Sequence, residues 1–153
     1  MLPPRDKIAA AFQVVNDAIR TEPTPKQHQL MVGLLLDGLF IKAGDDTDAY
    51  IQTLSWCLAD AAPDACERSS GPKPPPWIPI PALAPAAREL WLTYRGNFGR
   101  PPPIPDVLDL CTRYRKDLGM LRSDIVSVRR TRHRLAKIVR ATEDASPDED
   151  WGI

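Results

Sequence analysis

From Ile104 to Val139 the apolar positions step by alternating three and four residues. They are Ile104, Val107, Cys111, Tyr114, Leu118, Leu121, Ile125, Val128, Leu135 and Val139, and Arg132 is the one interruption. A period of this kind keeps one narrow apolar face turned toward a neighbour, so the segment is constrained to be a long helix lying beside another helix. Gly119 falls inside the run and costs about 1 kcal/mol relative to alanine. The phase crosses it without slipping, which predicts one continuous rod of about 57 Å, with a break at Gly119 as the alternative. Leu121, Ile125, Val128 and Leu135 carry the seam. Its partner is either another part of the chain or a second copy in a homodimer.

The same rod is strongly basic, and its end is the most concentrated part. Arg129 to Arg140 reads RRTRHRLAKIVR, with six arginines and lysines and no acid in twelve residues. An acidic strip follows at once, with Glu143, Asp144, Asp148, Glu149 and Asp150. Formal net charge over the 153 residues is zero. The whole molecule is therefore not a polyanion coat, although the basic helix alone can serve as one.

The rest of the chain also reads as helix. Thr24 and Gln27 make a capping-box pattern, with Pro25 at the first helical position where its missing N–H costs nothing. Many of the seventeen prolines stand at such starts, Pro63, Pro85 and Pro105 among them. The spacing predicts helices over about 4–21, 25–43, 47–61 and 85–96, with a short turn at 63–68. The second is apolar nearly all round and is expected at the centre, closed by Gly44. Asp46 or Thr47 is expected to cap the third. Between them and the last two helices, SSGPKPPPWIPIP (69–81) denies the backbone its donors and predicts an extended connector. Trp77, Ile78 and Ile80 in it would either pack across their own domain or serve as a ligand for an aromatic-lined groove. The fold class is all-α: a helical bundle with a Pro-rich connector and a long basic C-terminal helix. The expected organisation is one domain over 1–141, made of a bundle at 4–68, a connector at 69–84 and helices at 85–141. An acidic, disordered tail at 142–153 completes it.

A chain this long can bury roughly 70% of the surface its unfolded form exposes, enough for a core. Cys57, Cys66 and Cys111 are odd in number and form no C-x-x-C, which points to reduced thiols and a cytoplasmic protein. The most apolar run, Leu30 to Ile41, is interrupted by Asp37 and falls short of the about 20 residues that cross a bilayer, so no membrane partner is expected.

Little in the sequence suggests catalysis. Asp45, Asp46 and Asp48 lack the further ligand spacing of a calcium loop and suit a helix start. His28 and His133 stand far apart with no cysteine pair near either, so no metal site is expected. No phosphate-cradling glycine loop and no nucleophile-base spacing occur, and neither a cofactor nor an enzyme is expected. The basic helix is the strongest functional signal. Arg130, Arg134 and Lys137 share a face that Arg129, Arg132, His133 and Arg140 widen, and such a face can lie along phosphates with salt-sensitive affinity. The plainer reading is a solvated flank, or a surface that pairs with acidic residues of its own or a neighbouring chain. In the tail, Trp151 and Ile153 are candidate anchors for a partner, and the acids could instead fold back on the basic helix. The plainest reading of the tail is a solubilising end.

Two pieces, GDDTDAYIQTLSWCLADAAPDAC (44–66) and PPPIPDVLDLCTRYRKDL (101–118), resemble small α-helical phage and prophage proteins associated with replication, of the helicase loader or inhibitor kind. The tail is similar to the acidic tails of bacterial single-stranded-DNA-binding proteins but lacks their Pro-Phe end, so their partners do not carry over. The resemblance implies a binding protein without catalytic residues, whose partner is a protein or nucleoprotein and whose contacts include nucleic acid. A competing expectation is a phage-encoded inhibitor of a host nucleoprotein, of the anti-CRISPR type, using its acidic surface as a nucleic-acid mimic.

Overall fold

Thr24 and Gln27 fix one helix start before any packing is considered. The Gln27 N–H donates to Thr24 Oγ1 at 3.1 Å, and the Thr24 N–H donates to Gln27 Oε1 at 2.8 Å. With Pro25 at the first position this is a complete capping box. In the computed structural model, which describes residues 3–41, 44–63, 74–94 and 99–143, five helices are seen and no strand among the described residues. They are α1 (Arg5–Arg20), α2 (Pro25–Gly38), α3 (Asp45–Ala59), α4 (Ile80–Thr93) and α5 (Ile104–Glu143). The fold is the expected all-α bundle with a long C-terminal helix.

Helix α2 stops short of the expected residue 43, and the reason lies on α4. The Trp91 indole rests on Gly38, where a Cβ would stand only 2.2 Å from Nε1. That Nε1–H donates to the Leu35 carbonyl at 2.9 Å. The chain then closes with the Phe40 N–H on the Asp37 carbonyl and the Ile41 N–H on the Leu36 carbonyl, a Schellman motif. Phe40 takes the left-handed position, at φ 59°, where glycine is usual, and is 84% exposed. Two stability effects follow. Gly38→Ala should destabilise by about 2–3 kcal/mol, since an indole held by a hydrogen bond must move. Phe40→Gly should stabilise by about 1 kcal/mol, because it relieves left-handed strain and sacrifices little packing. Urea unfolding of the two variants should show midpoints on opposite sides of wild type.

The other boundaries moved for similar local reasons. Asp48 N–H already donates to the Gly44 carbonyl, so α3 starts at Asp45 with Gly44 as its cap, and neither Asp46 nor Thr47 is the capping residue. Helix α4 begins at Ile80 rather than 85, with Pro85 inside it. Ala82, Leu83, Ala86, Ala87 and Leu90 form one buried stripe across that proline, and their burial outweighs the lost backbone bond. Helix α5 crosses Gly119 unbroken, as expected, and runs two residues past 141.

Helix α4, not α2, takes the central place: it packs on α2 and α5 and touches α1. Leu30 and Leu34 of α2 face solvent. The core joins Val32, Leu35, Leu54, Leu58, Leu83, Leu90, Val107 and Cys111 with Ile78 of the connector. The described part of the connector packs across its own domain. Its Ile78 N–H donates to the Leu58 carbonyl at 2.8 Å, and its Pro76 carbonyl accepts from the Ala61 N–H at 2.7 Å. His28, fully buried, donates from Nε2 to the Ile78 carbonyl at 2.9 Å. Arg115 is the largest fully buried side chain, and its Nη1 donates to the carbonyls of Ala61, Pro75 and Trp77. A guanidinium from α5 thus supplies the donors that a proline-rich segment cannot find in its own backbone.

Candidate nucleic-acid interface

Helix α1 lies antiparallel on the second half of α5. Arg122 Nη1 donates to Asn16 Oδ1 at 3.2 Å near one end, and Arg132 Nη1 donates to the Pro3 carbonyl at 3.1 Å near the other. Ile8 and Ile19 are buried, and Phe12 and Val15 are half-buried. This is the side-by-side helix pair that the apolar period predicts, but the period and the helix do not keep step. A straight α-helix drifts about 20° per heptad against a repeat of three and four, about 100° between Ile104 and Val139. The seam therefore starts in the core at Val107 and Cys111 and rotates out. Ile125 and Val128 are half-buried, whereas Leu121 and Leu135 are exposed. Arginines occupy the face that the drift leaves turned inward. Arg122 is 5% exposed, with Nε lacking a hydrogen-bond partner, and burial, then the nearby Arg20, hold its pKa below the usual arginine value.

The cations of α5 divide into two groups. In the first half the arginines are engaged: Arg115 inside the core, and Arg113 with its Nη2 donating to both Glu89 oxygens at 2.7 and 2.8 Å. Tyr114 donates to Glu89 as well, and this hydroxyl first, then Arg113, holds the carboxyl below its ordinary range. In the second half Arg129, Arg130, Arg134, Lys137 and Arg140 are all exposed and make no ion pair among the described residues. They line an open groove of about 880 Å³ between the start of α1 and the end of α5. Arg5, Arg132 and His133 join them, over a floor that includes Ile8, Val126 and Ala136. No acid lines it.

All five sequence-predicted cations thus share one site. Arg5 was missed because nothing in MLPPRDK marks it, and only the antiparallel docking of α1 brings it across. Trp151 and Ile153, and the acids from Asp144 to Asp150, lie outside the described residues, as does Cys66. Cys57 and Cys111 are free thiols, and burial pushes the Cys111 thiol up to about 12, away from nucleophilic use.

A second open groove of about 750 Å³ adjoins the end of α2 and the start of α3, lined by Phe40, Asp46, Thr47, Tyr50 and Arg100 among others. Its best-placed hydroxyl, Tyr50, already donates to the Pro102 carbonyl at 2.6 Å, and burial raises its pKa. No cluster of three metal-ligating side chains occurs among the described residues, and no helix among them is long and apolar enough to cross a membrane. No protein-family model matches the chain, and no curated protein or solved structure is significantly similar to it.

Proposed function

We propose that this protein is a non-enzymatic accessory protein that binds nucleic acid, free or within a nucleoprotein, through the groove between α1 and the second half of α5. The observation that carries this reading is the composition of the groove: seven arginines and lysines, none paired with an acid among the described residues. Unpaired cations on two converging helices match a row of phosphates, and each contact releases condensed counterions. Base recognition is not required for such binding, since phosphate contacts position a protein without reading sequence. The likeness of residues 44–66 and 101–118 to phage replication proteins agrees with an accessory role of this kind.

Fluorescence anisotropy with labelled single- and double-stranded DNA of about 20 nucleotides tests the reading, using the full chain and residues 1–143 at low salt. Binding by both forms, tighter in the shorter one, is the expected result and makes the acidic end a competitor for the groove. Absence of binding by either form refutes the reading and leaves α5 as a surface for proteins.

A further inference from the structure

Helix α5 presents a second surface, on the side away from the groove. Between Ser127 and Thr142 there is no acid anywhere on the helix, and one strip carries no charge at all. Val128, Thr131, Leu135, Ile138 and Thr142 recur at intervals of three and four, with Val139 beside them. At about 100° per residue the strip is centred almost diametrically opposite the inward face that holds Arg115 and Arg122. Leu135, Ile138 and Val139 are 46%, 60% and 52% exposed. Helix α1 ends at the Pro3–Arg132 contact, so about 16 Å of α5 extends beyond it with no described element against the strip.

We infer that this strip docks an amphipathic, acidic helix of a partner protein, sharing Arg132 and Arg134 with the groove's rim and leaving Arg5, Arg129, Arg130, Lys137 and Arg140 free for nucleic acid. The apolar rhythm is that of a helix-helix seam, in which residues at the edges select the partner by charge. Both edges here are cationic, Arg132 on one side and Arg134 on the other. A partner with glutamates or aspartates flanking its own apolar strip meets opposite charge along both edges. A second copy of this chain sets arginine against arginine instead, which opposes pairing. The two threonines and the lack of an aromatic anchor suit a protein surface better than a bilayer. The same three turns would then hold a nucleic acid and a protein at once.

The probe is a labelled 21-residue helical peptide with leucine and isoleucine at the two apolar positions of each heptad and glutamate at the flanking ones. A version with lysine for glutamate is the control. Full-length protein should bind the acidic peptide at least tenfold more tightly than the basic one. Ile138→Gln/Val139→Gln should weaken that binding at least tenfold while leaving DNA affinity within about twofold. Both side chains face solvent, so the variant should melt like wild type. Three results overturn the inference. One is peptide affinity unchanged in the variant. Another is a wild-type dimer in sedimentation that the variant lacks, which assigns the strip to a second copy. The third is a variant defect in binding anionic vesicles with no defect toward the peptide.

Discussion

Arg115→Ala should be among the most destabilising single substitutions in this chain, costing about 3–5 kcal/mol in urea unfolding. The side chain is 2% exposed, and one nitrogen serves three carbonyls from two segments, the end of α3 and the connector. Alanine leaves those carbonyls buried without their donor and opens a void where the guanidinium stood. It also releases the connector, whose Ile78 is fully buried in the core and accepts from His28. Arg115→Lys should recover only part of the loss, since an ammonium on a thinner stem cannot reproduce the planar fork. Lys116→Ala, one residue on, half-buried and without an ion pair among the described residues, should cost less than about 1 kcal/mol. A loss below about 1 kcal/mol for Arg115→Ala would mean that the connector is held by its apolar contacts and its hydrogen bonds to Leu58, Ala61 and His28, without need of Arg115.

The pair Arg115 and Lys116 shows where sequence reading stops. Helical class, the capping box at Thr24 and the long rod were all legible, because each rests on local chemistry or on periodicity, whereas the end of the expected connector, 80–84, belongs to α4. The depth of each α5 position was not. A repeat of three and four residues and a turn of 3.6 agree over two heptads and diverge over five. The divergence turned Leu121 and Leu135 outward and brought Arg122 in, and no feature of the residue types announces it. Arg115 sits one position past the seam at Tyr114 and reads as a surface charge until the connector is known to lie over it. Pro85 reads as a first helical residue, but α4 starts five residues earlier because Pro79 and Pro81 already serve that end. The groove was half legible. Arg129 to Arg140, Arg132 included, is conspicuous as composition, but Arg5 enters only through the docking of α1, a long-range event.

The second large effect concerns binding. Arg134→Glu/Lys137→Glu/Arg140→Glu should weaken DNA binding by at least 100-fold at about 0.1 M salt, since three phosphate contacts become three repulsions. All three residues are exposed and unpaired among the described residues, so the variant should keep wild-type unfolding behaviour. Arg5→Glu should weaken binding by a smaller factor, about tenfold, and would show that α1 helps to build the site. An Arg5 variant with full affinity would reduce the site to one helix face.

The dependence of DNA affinity on salt tests the central claim most directly. If about five of the groove's cations each meet a phosphate, a plot of log K against log salt should slope near −4.5 for duplex DNA. Affinity would then fall about 500-fold between 50 and 200 mM. In the triple variant the slope should flatten by about 2.7, three contacts at about 0.9 each. A wild-type slope near zero, or one that the triple substitution leaves unchanged, would contradict a phosphate-binding groove on α1 and α5.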